Sequence, residues 1–254
     1  MKVISIINLK GGVGKSITSI NLAYCLAQNG SRVLLLDNDK QGNSTKFYGC
    51  HSYEHKSLSE VLLGTAEIRE VIKHTSCEKL DIVPANMTLL KANRDVLLET
   101  TRPQHIRIKE ALEHVAAEYD YCIIDNAPDI NISVVNALVA SDDVIIPVKV
   151  DAFTFDGIAE IMEQMQDIRK YYNPSLNFAG CLVTSYRNND VNNEGVKALQ
   201  KKYGKVYNTK IRWTAKVDES TFSGVPITDY SRRCGASKDY IQFTEEYVKG
   251  EGQA

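Results

Sequence analysis

Residues 9 to 16 read Leu9-Lys10-Gly11-Gly12-Val13-Gly14-Lys15-Ser16, and no other stretch constrains the fold as strongly. Ahead of it, Val3-Ile4-Ser5-Ile6-Ile7 is an apolar, β-branched run of the kind used by a buried parallel strand. Behind it, from Ser16 to Asn29, apolar side chains at Ile17, Ile20, Ala23, Tyr24 and Ala27 follow a helical spacing. A glycine run between a strand and a helix start has a mechanism. Gly11, Gly12 and Gly14 let the backbone bend and bring its N–H groups close to anionic oxygens. The helix N-terminus adds partial positive charge. Lys15 can then neutralise β- and γ-phosphates, and the Ser16 hydroxyl can ligate Mg²⁺. The plain alternative is a glycine-rich turn without a ligand; the Gly-Lys-Ser ending in this context argues against it.

Two linked departures from the ordinary phosphate-binding loop stand out. Leu9 occupies the first glycine position, and a second lysine, Lys10, opens the glycine run. A loop that has Lys15 does not need Lys10 for its own phosphates, so Lys10 is a surplus cation. The spacing resembles the deviant Walker A box of the ParA/MinD family of ATPases, in which this lysine reaches across a dimer. The resemblance implies a nucleotide-sandwich homodimer.

A chain of 254 residues, 43% hydrophobic, suits one large α/β domain. No apolar run reaches the roughly 18 residues of a membrane span, and the N-terminus enters a strand directly, with no signal peptide. The six cysteines are scattered without a CxxC pair, which fits reduced cytosolic thiols better than disulfides or a zinc site. The net charge of −2 hides an asymmetry: residues 187–238 carry 11 Lys and Arg against 5 Asp and Glu, a net +6, leaving −8 elsewhere. Such a segment is either a polyanion-binding face or a set of solvated lysines on helix surfaces.

The remaining periodicities alternate. Strands are expected at 32–37, 79–83, 121–125, 143–148, 178–184 and, briefly, 206–211. Helices are expected at 57–64, 68–74, 86–99, 104–119, 133–140, 155–171, 191–203 and 236–248. The pattern predicts a single P-loop domain over 1–254, with one doubly wound, mainly parallel sheet flanked by helices and the site at the strands' carboxyl ends. No helix-turn-helix segment precedes the glycine run.

Asp37 and Asp125 each end an apolar strand, and Asp39 lies two residues into the polar loop after Asp37. Triphosphate hydrolysis needs a held metal, a positioned water and cationic cover for the developing charge. Asp125 matches a metal-holding carboxylate, Asp37 sits where it can approach the metal, and Asp39 is better placed to orient water. Strand-end aspartates also cap turns and helices, which is the structural alternative.

The resemblance to the ParA family now extends over nearly the whole chain. Asp37-Asn-Asp39-Lys40-Gln41-Gly42-Asn43 keeps all of that family's switch I signature but a proline, and Asp125-Asn126-Ala127-Pro128 resembles its switch II. Asn136-Ala-Leu138, Ile146-Pro147-Val148, Glu219, Gly224-Val-Pro-Ile227 and Gly235-Ala236 also fit. Lys40 and Ala127 replace prolines, which predicts looser switches. Ile211-Arg-Trp213-Thr214 departs from the family's Ile-Pro-Arg-Asn near the base, so Trp213 either stacks on adenine or is buried packing.

The resemblance implies an ATPase using ATP and Mg²⁺, with Lys10, Lys15 and Asp39 catalytic and Ser16, Asp37 and Asp125 at the metal. It implies nucleotide binding by Lys10 through Ile17, including Val13, with Trp213 and Thr214 at the base. It also implies an ATP-dependent homodimer, cytoplasmic and nucleoid-associated, that binds double-stranded DNA non-specifically and partitions a plasmid, chromosome or mobile element. A ParB-like centromere-binding protein would stimulate its hydrolysis. Lys216 falls where the family has a DNA-contacting basic residue; Arg232 and Arg233 are further candidates. A MinD-like membrane ATPase would need a basic amphipathic C-terminal helix, whereas Tyr240 to Ala254 is acidic. An iron–sulfur carrier would need a cysteine that Asp129-Ile-Asn-Ile-Ser133 lacks. An ATP-binding switch with little turnover fits the two lost prolines.

Overall fold

The apolar runs are strands of one sheet in the computed structural model, which describes residues 1–151 and 154–251. The strands are β1 Lys2–Ile6, β2 Val33–Asn38, β3 Lys73–His74, β4 Leu80–Val83, β5 Tyr121–Asn126, β6 Asp143–Lys149 and β7 Asn177–Thr184. Their order is β3-β4-β2-β5-β1-β6-β7, and every neighbouring pair is parallel except β3 with β4. The chain runs outward from β1 in one direction through β2 and in the other through β6. The crevice at that reversal, beyond the carboxyl ends of the strands, is where such sheets bind ligands.

Alternation along β2 decides the layers. Val33 and Leu35 join a core with helix Lys15–Gln28 and with Tyr240, Phe243 and Tyr247 of the terminal helix Gly235–Glu251. Leu34 and Leu36 face the opposite side, among residues of helices Leu58–Leu63, Thr88–Leu98 and Arg107–Glu113. A third apolar cluster packs helices Ile132–Ala140 and Thr154–Tyr171 against β6 and β7.

Several expected elements differ. The helix expected at 68–74 ends at Val71, because Ile72 turns to an extended ψ of 135°. Lys73–His74 then pairs antiparallel with β4. The helix expected at 104–119 is regular only over Arg107–Glu113. The segment 206–211 is no strand. It touches β7 and the residues after it through isolated bridges, Cys181 with Val206 and Tyr186 with Arg212. Between them the Asn208 and Thr209 amides donate to the Glu246 carboxylate at 2.6 and 2.9 Å, which diverts the ladder. Helices Asn43–Phe47, Ala215–Ser223 and Ile227–Tyr230 were not expected. Each is short, and short helices carry little periodicity.

Asn136 accounts for the late start of Arg107–Glu113. Its fully buried Oδ1 accepts the Arg107 and Ile108 amides at 2.7 and 3.3 Å, and its Nδ2 donates to the Gln104 and Ile132 carbonyls at 2.7 and 2.8 Å. Asn136→Leu keeps the volume but orphans those groups, each costing about 1–3 kcal/mol when buried. We expect a loss on the order of 3 kcal/mol, read as a lower urea midpoint at unchanged m-value; a loss well below about 1 kcal/mol would show that the cap is dispensable.

Candidate nucleotide-binding site

The glycine loop is pinned at both ends before any ligand arrives. After β1, the buried Asn8 donates through Nδ2 to the Pro147 carbonyl at 2.8 Å, and its Oδ1 accepts the Lys10 amide at 3.0 Å. At the far side Thr184, ending β7, donates to the Val13 carbonyl at 2.8 Å. Gly12, between these anchors, and Gly14, just beyond the second, take φ of 71° and 83°, the left-handed region that side chains disfavour. Gly11, Gly12, Gly14, Lys15, Ser16 and Ile17 line a cleft of about 840 Å³. Val13 is buried behind them.

Lys15 is almost fully buried, and its Nζ donates to the Lys10 carbonyl at 2.8 Å. Burial lowers its pKa, while Asp125, Asp39 and Asp129 pull the other way. Lys10 extends in another direction, with its Nζ 2.8 Å from Asp151 of its own chain.

Parallel register sets Asp37 of β2 opposite Asp125 of β5, and Asn38 opposite Asn126. Both aspartates are fully buried. Burial pushes Asp37 up to about 8, reinforced by the charge of Asp125 and opposed by hydrogen bonds from Thr45 and Asp39. Burial raises Asp125 as well, against hydrogen bonds from Ser44 and Ser16. Asp37 Oδ2 accepts the Thr45 amide at 2.8 Å and the Thr45 hydroxyl at 2.7 Å, while its Oδ1 accepts the Asp39 amide at 3.1 Å. Asp37 therefore anchors helix Asn43–Phe47, and the capping alternative is realised there alongside its place near Asp125. Asp125 accepts the Ser44 hydroxyl at 2.7 Å and the Ser19 hydroxyl at 3.3 Å. Asp39 lines the cleft, and its Oδ1 accepts the Gln41 amide at 2.9 Å.

The switches are tied down rather than loose. Lys40 Nζ lies 3.4 Å from Asp129, joining the loop after β2 to the segment after β5. Ala127 is buried in the third apolar cluster, and its amide donates to the Asn38 carbonyl at 3.3 Å. Gly42, with φ 61°, passes so close to β4's exit that a Cβ there would sit 2.7 Å from the Ala85 carbonyl oxygen.

Trp213 is 52% exposed, so it is not a buried packing residue. The Arg187 guanidinium lies over its ring at 4.4 Å. Trp213 and Thr214 line a second cavity, of about 230 Å³, that shares Gly14 and Ile17 with the main cleft. The Thr214 hydroxyl accepts the Lys216 amide at 3.3 Å, capping helix Ala215–Ser223.

The basic segment is less free than its count implies. Lys216 pairs with Glu219 at 2.6 Å, Arg232 with Asp229 at 3.2 Å, and Arg212 with the buried Asp239 at 2.6 Å. Tyr230 donates to Glu219 at 2.9 Å, which brings the Lys216 helix beside the turn holding Arg232 and the exposed Arg233.

Sequence reasoning missed Asn8, Ser19, Ser44, Thr45 and Thr184, which hold the loop and the two carboxylates. Small polar residues carry no periodic signal; Asn8, Ser44 and Thr45 stand directly beside a recognisable motif, but nothing in either motif names their partners.

The charge states imply a pH dependence. An unfolded aspartate ionises near pH 3.9, whereas folded Asp37 holds its proton up to about 8. The cost of ionising it in the fold is absent below the first value and complete above the second, so ligand-free protein loses stability across that window. Asp37→Asn removes the titration and keeps an acceptor for Thr45. Its melting temperature relative to the parent protein is expected to rise between about pH 5 and about pH 8; an unchanged difference would assign Asp37 an ordinary ionisation.

The family described as "AAA domain" matches residues 1–178. Sporulation initiation inhibitor protein Soj of Bacillus subtilis (strain 168) is 36% identical over 250 residues, covering 96% of this chain and 97% of that protein. Chromosome partitioning protein ParA of Caulobacter vibrioides (strain NA1000 / CB15N) is 33% identical, covering 99% and 95%. Cobyrinic acid a,c-diamide synthase from Mycobacterium smegmatis, solved with a bound ATP analogue and magnesium, superposes with a TM-score of 0.83 at 27% identity, covering 96% and 93%. With these relatives matched almost end to end and the loop, switch aspartates and sheet order in place, the chain belongs to the ParA/Soj family of partitioning ATPases.

Proposed function

We propose that this chain is a nucleotide-driven DNA-partitioning switch. It binds ATP with Mg²⁺, pairs with a second copy, holds double-stranded DNA without sequence preference in the cytoplasm, and hydrolyses ATP slowly until a ParB-like partner accelerates it. The observation that carries the reading is a pinned glycine loop whose buried Lys15 lines one cleft with Asp39, while the charge of the buried Asp125 acts on that lysine.

The donor set suits a hard divalent cation. Ser16, Asp37 and Asp125 offer only oxygens, and Mg²⁺ at triphosphate sites uses one or two carboxylates with phosphates and water. When bound, Mg²⁺ supplies neutralisation of the β- and γ-phosphate oxygens. The chain's own residues do the rest. Phosphate oxygens take the place of the Lys10 carbonyl on Lys15, and loop amides around Gly12 and Gly14 receive the remaining charge. Asp39, at the cleft wall and near Lys15, orients the attacking water. Lys10 exchanges Asp151 for phosphate of the nucleotide held by the second copy.

A membrane-associated role is disfavoured by the terminal helix. Tyr240, Phe243 and Tyr247 of Gly235–Glu251 are buried against the core, so its apolar face is already spent. No helix among the described residues is long and apolar enough to cross a membrane. The acidic tail's Gly252, Gln253 and Ala254 lie outside the described residues.

Lys15→Ala is expected to abolish ATP binding in equilibrium titrations, because Lys15 meets phosphate in the ground state. Asp39→Ala is expected to bind ATP but turn over at least about 100-fold slower, accumulating an ATP-bound dimer in sedimentation. Wild-type turnover by Asp39→Ala would strip Asp39 of its role. Turnover that stays near zero in the parent protein, with and without partner, would favour the low-turnover switch.

Lys216→Glu is expected to weaken binding to two unrelated duplexes alike and to flatten the salt dependence by about 0.9 per lost phosphate contact on a log–log plot. Binding should be stronger with a slowly hydrolysed ATP analogue than with ADP, since a dimer doubles the contacts on one face. Equal affinity in both nucleotide states would refute the gating. Strong preference for one duplex would refute the non-specific mode.

A further inference from the structure

The strand ends that carry the two buried aspartates also carry two buried amides. Leu34 and Leu36 of β2 and Cys122 and Ile124 of β5 face one apolar layer, and the next residues on that face are Asn38 and Asn126. Both are fully buried, and they stand opposite one another in the parallel register. Asn38 Nδ2 donates to Asn126 Oδ1 at 2.9 Å and to the Ser133 carbonyl at 3.1 Å. Asn126 Nδ2 in turn faces the Ser5 hydroxyl oxygen and the Ile6 carbonyl, both at 3.2 Å, and the Ile124 carbonyl at 3.3 Å. We propose that Asn38 and Asn126 are positioning residues for hydrolysis, a buried clasp that sets Asp39 against Asp125. This rests on the reading of the main cleft as an ATP-hydrolysing site.

Stability does not account for the pair. Asn38 Oδ1 is buried with no hydrogen bond among the described residues, which is unfavourable for a polar atom removed from water. Turning that amide over gives no relief, because its oxygen would then meet Asn126 Oδ1 and the Ser133 carbonyl. The Ile6 and Ile124 carbonyls fix Asn126 in the same way. Two apolar side chains would continue the layer with no orphaned acceptor, and exchanging both partners of a buried hydrogen bond for apolar groups is close to neutral. Apolar groups would not supply direction. An amide pair is satisfied at one register and one separation, whereas methyl groups slide past one another at little cost.

Register matters here because of the neighbouring residues. Asn38 lies between Asp37, which is held by Thr45, and Asp39, which lines the cleft. Asn126 follows Asp125, on which the charge of Asp39 acts. The bond to Ser133 extends the tie to helix Ile132–Ala140, so the segment after β5 is held at both its ends. The glycine loop has separate anchors in Asn8 and Thr184. Loosening the clasp therefore leaves the loop and Lys15 in place while Asp39 and Asp125 shift relative to one another. A misplacement of about 1 Å in a reacting constellation is enough to slow turnover on the order of 100-fold.

The test compares the parent with Asn38→Val/Asn126→Val and with Asn38→Ala/Asn126→Ala. Each protein is followed by thermal melting, binding of a slowly hydrolysed ATP analogue, and steady-state ATP hydrolysis with Mg²⁺. The valine pair is expected to melt within about 3 °C of the parent and to bind the analogue within about threefold. Its kcat should nevertheless fall at least about tenfold at little-changed KM. The alanine pair leaves a cavity and should melt lower, yet show the same loss of kcat; it decides the matter alone if the valine pair does not fold. A kcat within about twofold of the parent in either pair overturns the proposal, as does a loss that tracks melting temperature and affinity from one variant to the next. A parent that binds the analogue but hydrolyses no ATP overturns the proposal and leaves the nucleotide site standing. If the parent does not bind the analogue at all, the reading of the cleft falls and the clasp's role falls with it.

Discussion

Burying Asp37, Asp125 and Asp39 beside a single buried lysine is the constraint on which the rest of this structure depends. Carboxylates in a low-dielectric interior repel one another and lose hydration, and one ammonium group does not offset that. The fold compensates with hydroxyl and amide donors. Ser44, Thr45 and Ser19 donate to the two strand-end carboxylates, and two of those donors open helix Asn43–Phe47. The short helix after switch I therefore exists to hold the aspartates as much as the aspartates exist to cap it. Any species adding positive charge at this point relieves a penalty that the protein carries in its absence, and ligand affinity and local order rise together.

The same economy links the two lysines of the glycine loop. Lys15 donates to the carbonyl of Lys10, and Lys10 reaches Asp151 141 residues away. Anything that draws Lys15 onto an anion frees the backbone at Lys10, whose amide is still held by Asn8. The residue proposed to act across a subunit boundary is thus connected to the residue proposed to meet phosphate through one backbone group.

The parts of this architecture that repeat in sequence were legible there. The apolar runs before Asp37 and Asp125 gave the strands, and parallel strands ending in the same direction brought both aspartates to one edge. What escaped were features set by partners distant in the chain. Asn136 sets the start of a helix 29 residues earlier, and Glu246 bends a segment 37 and 38 residues earlier out of the sheet. The acidic partners of the basic segment escaped for a related reason. Lys216 and Glu219 become i, i+3 neighbours only once Ala215–Ser223 is known to be helical, and that helix is too short to announce itself. Exposure of Trp213 was equally out of reach, since a tryptophan's burial depends on what crosses over it.

The two lost prolines show how a local rule can mislead. A proline stiffens a loop by removing backbone freedom, an effect indifferent to salt. Here Lys40 restores a restraint by reaching Asp129 at 3.4 Å, and Ala127 restores one by packing into the core. These substitutes are not equivalent. Burial of Ala127 holds under most conditions, but an ion pair whose side chains are 30% and 47% exposed is worth at most about 1 kcal/mol and weakens as ionic strength rises. The link between the loop after β2 and the segment after β5 is accordingly a weak electrostatic latch, firmer in dilute buffer than in salt. Asp129 also contributes to the field at Lys15, so the latch and the lysine proposed to bind phosphate share one carboxylate. A proline at either position would leave no such shared group.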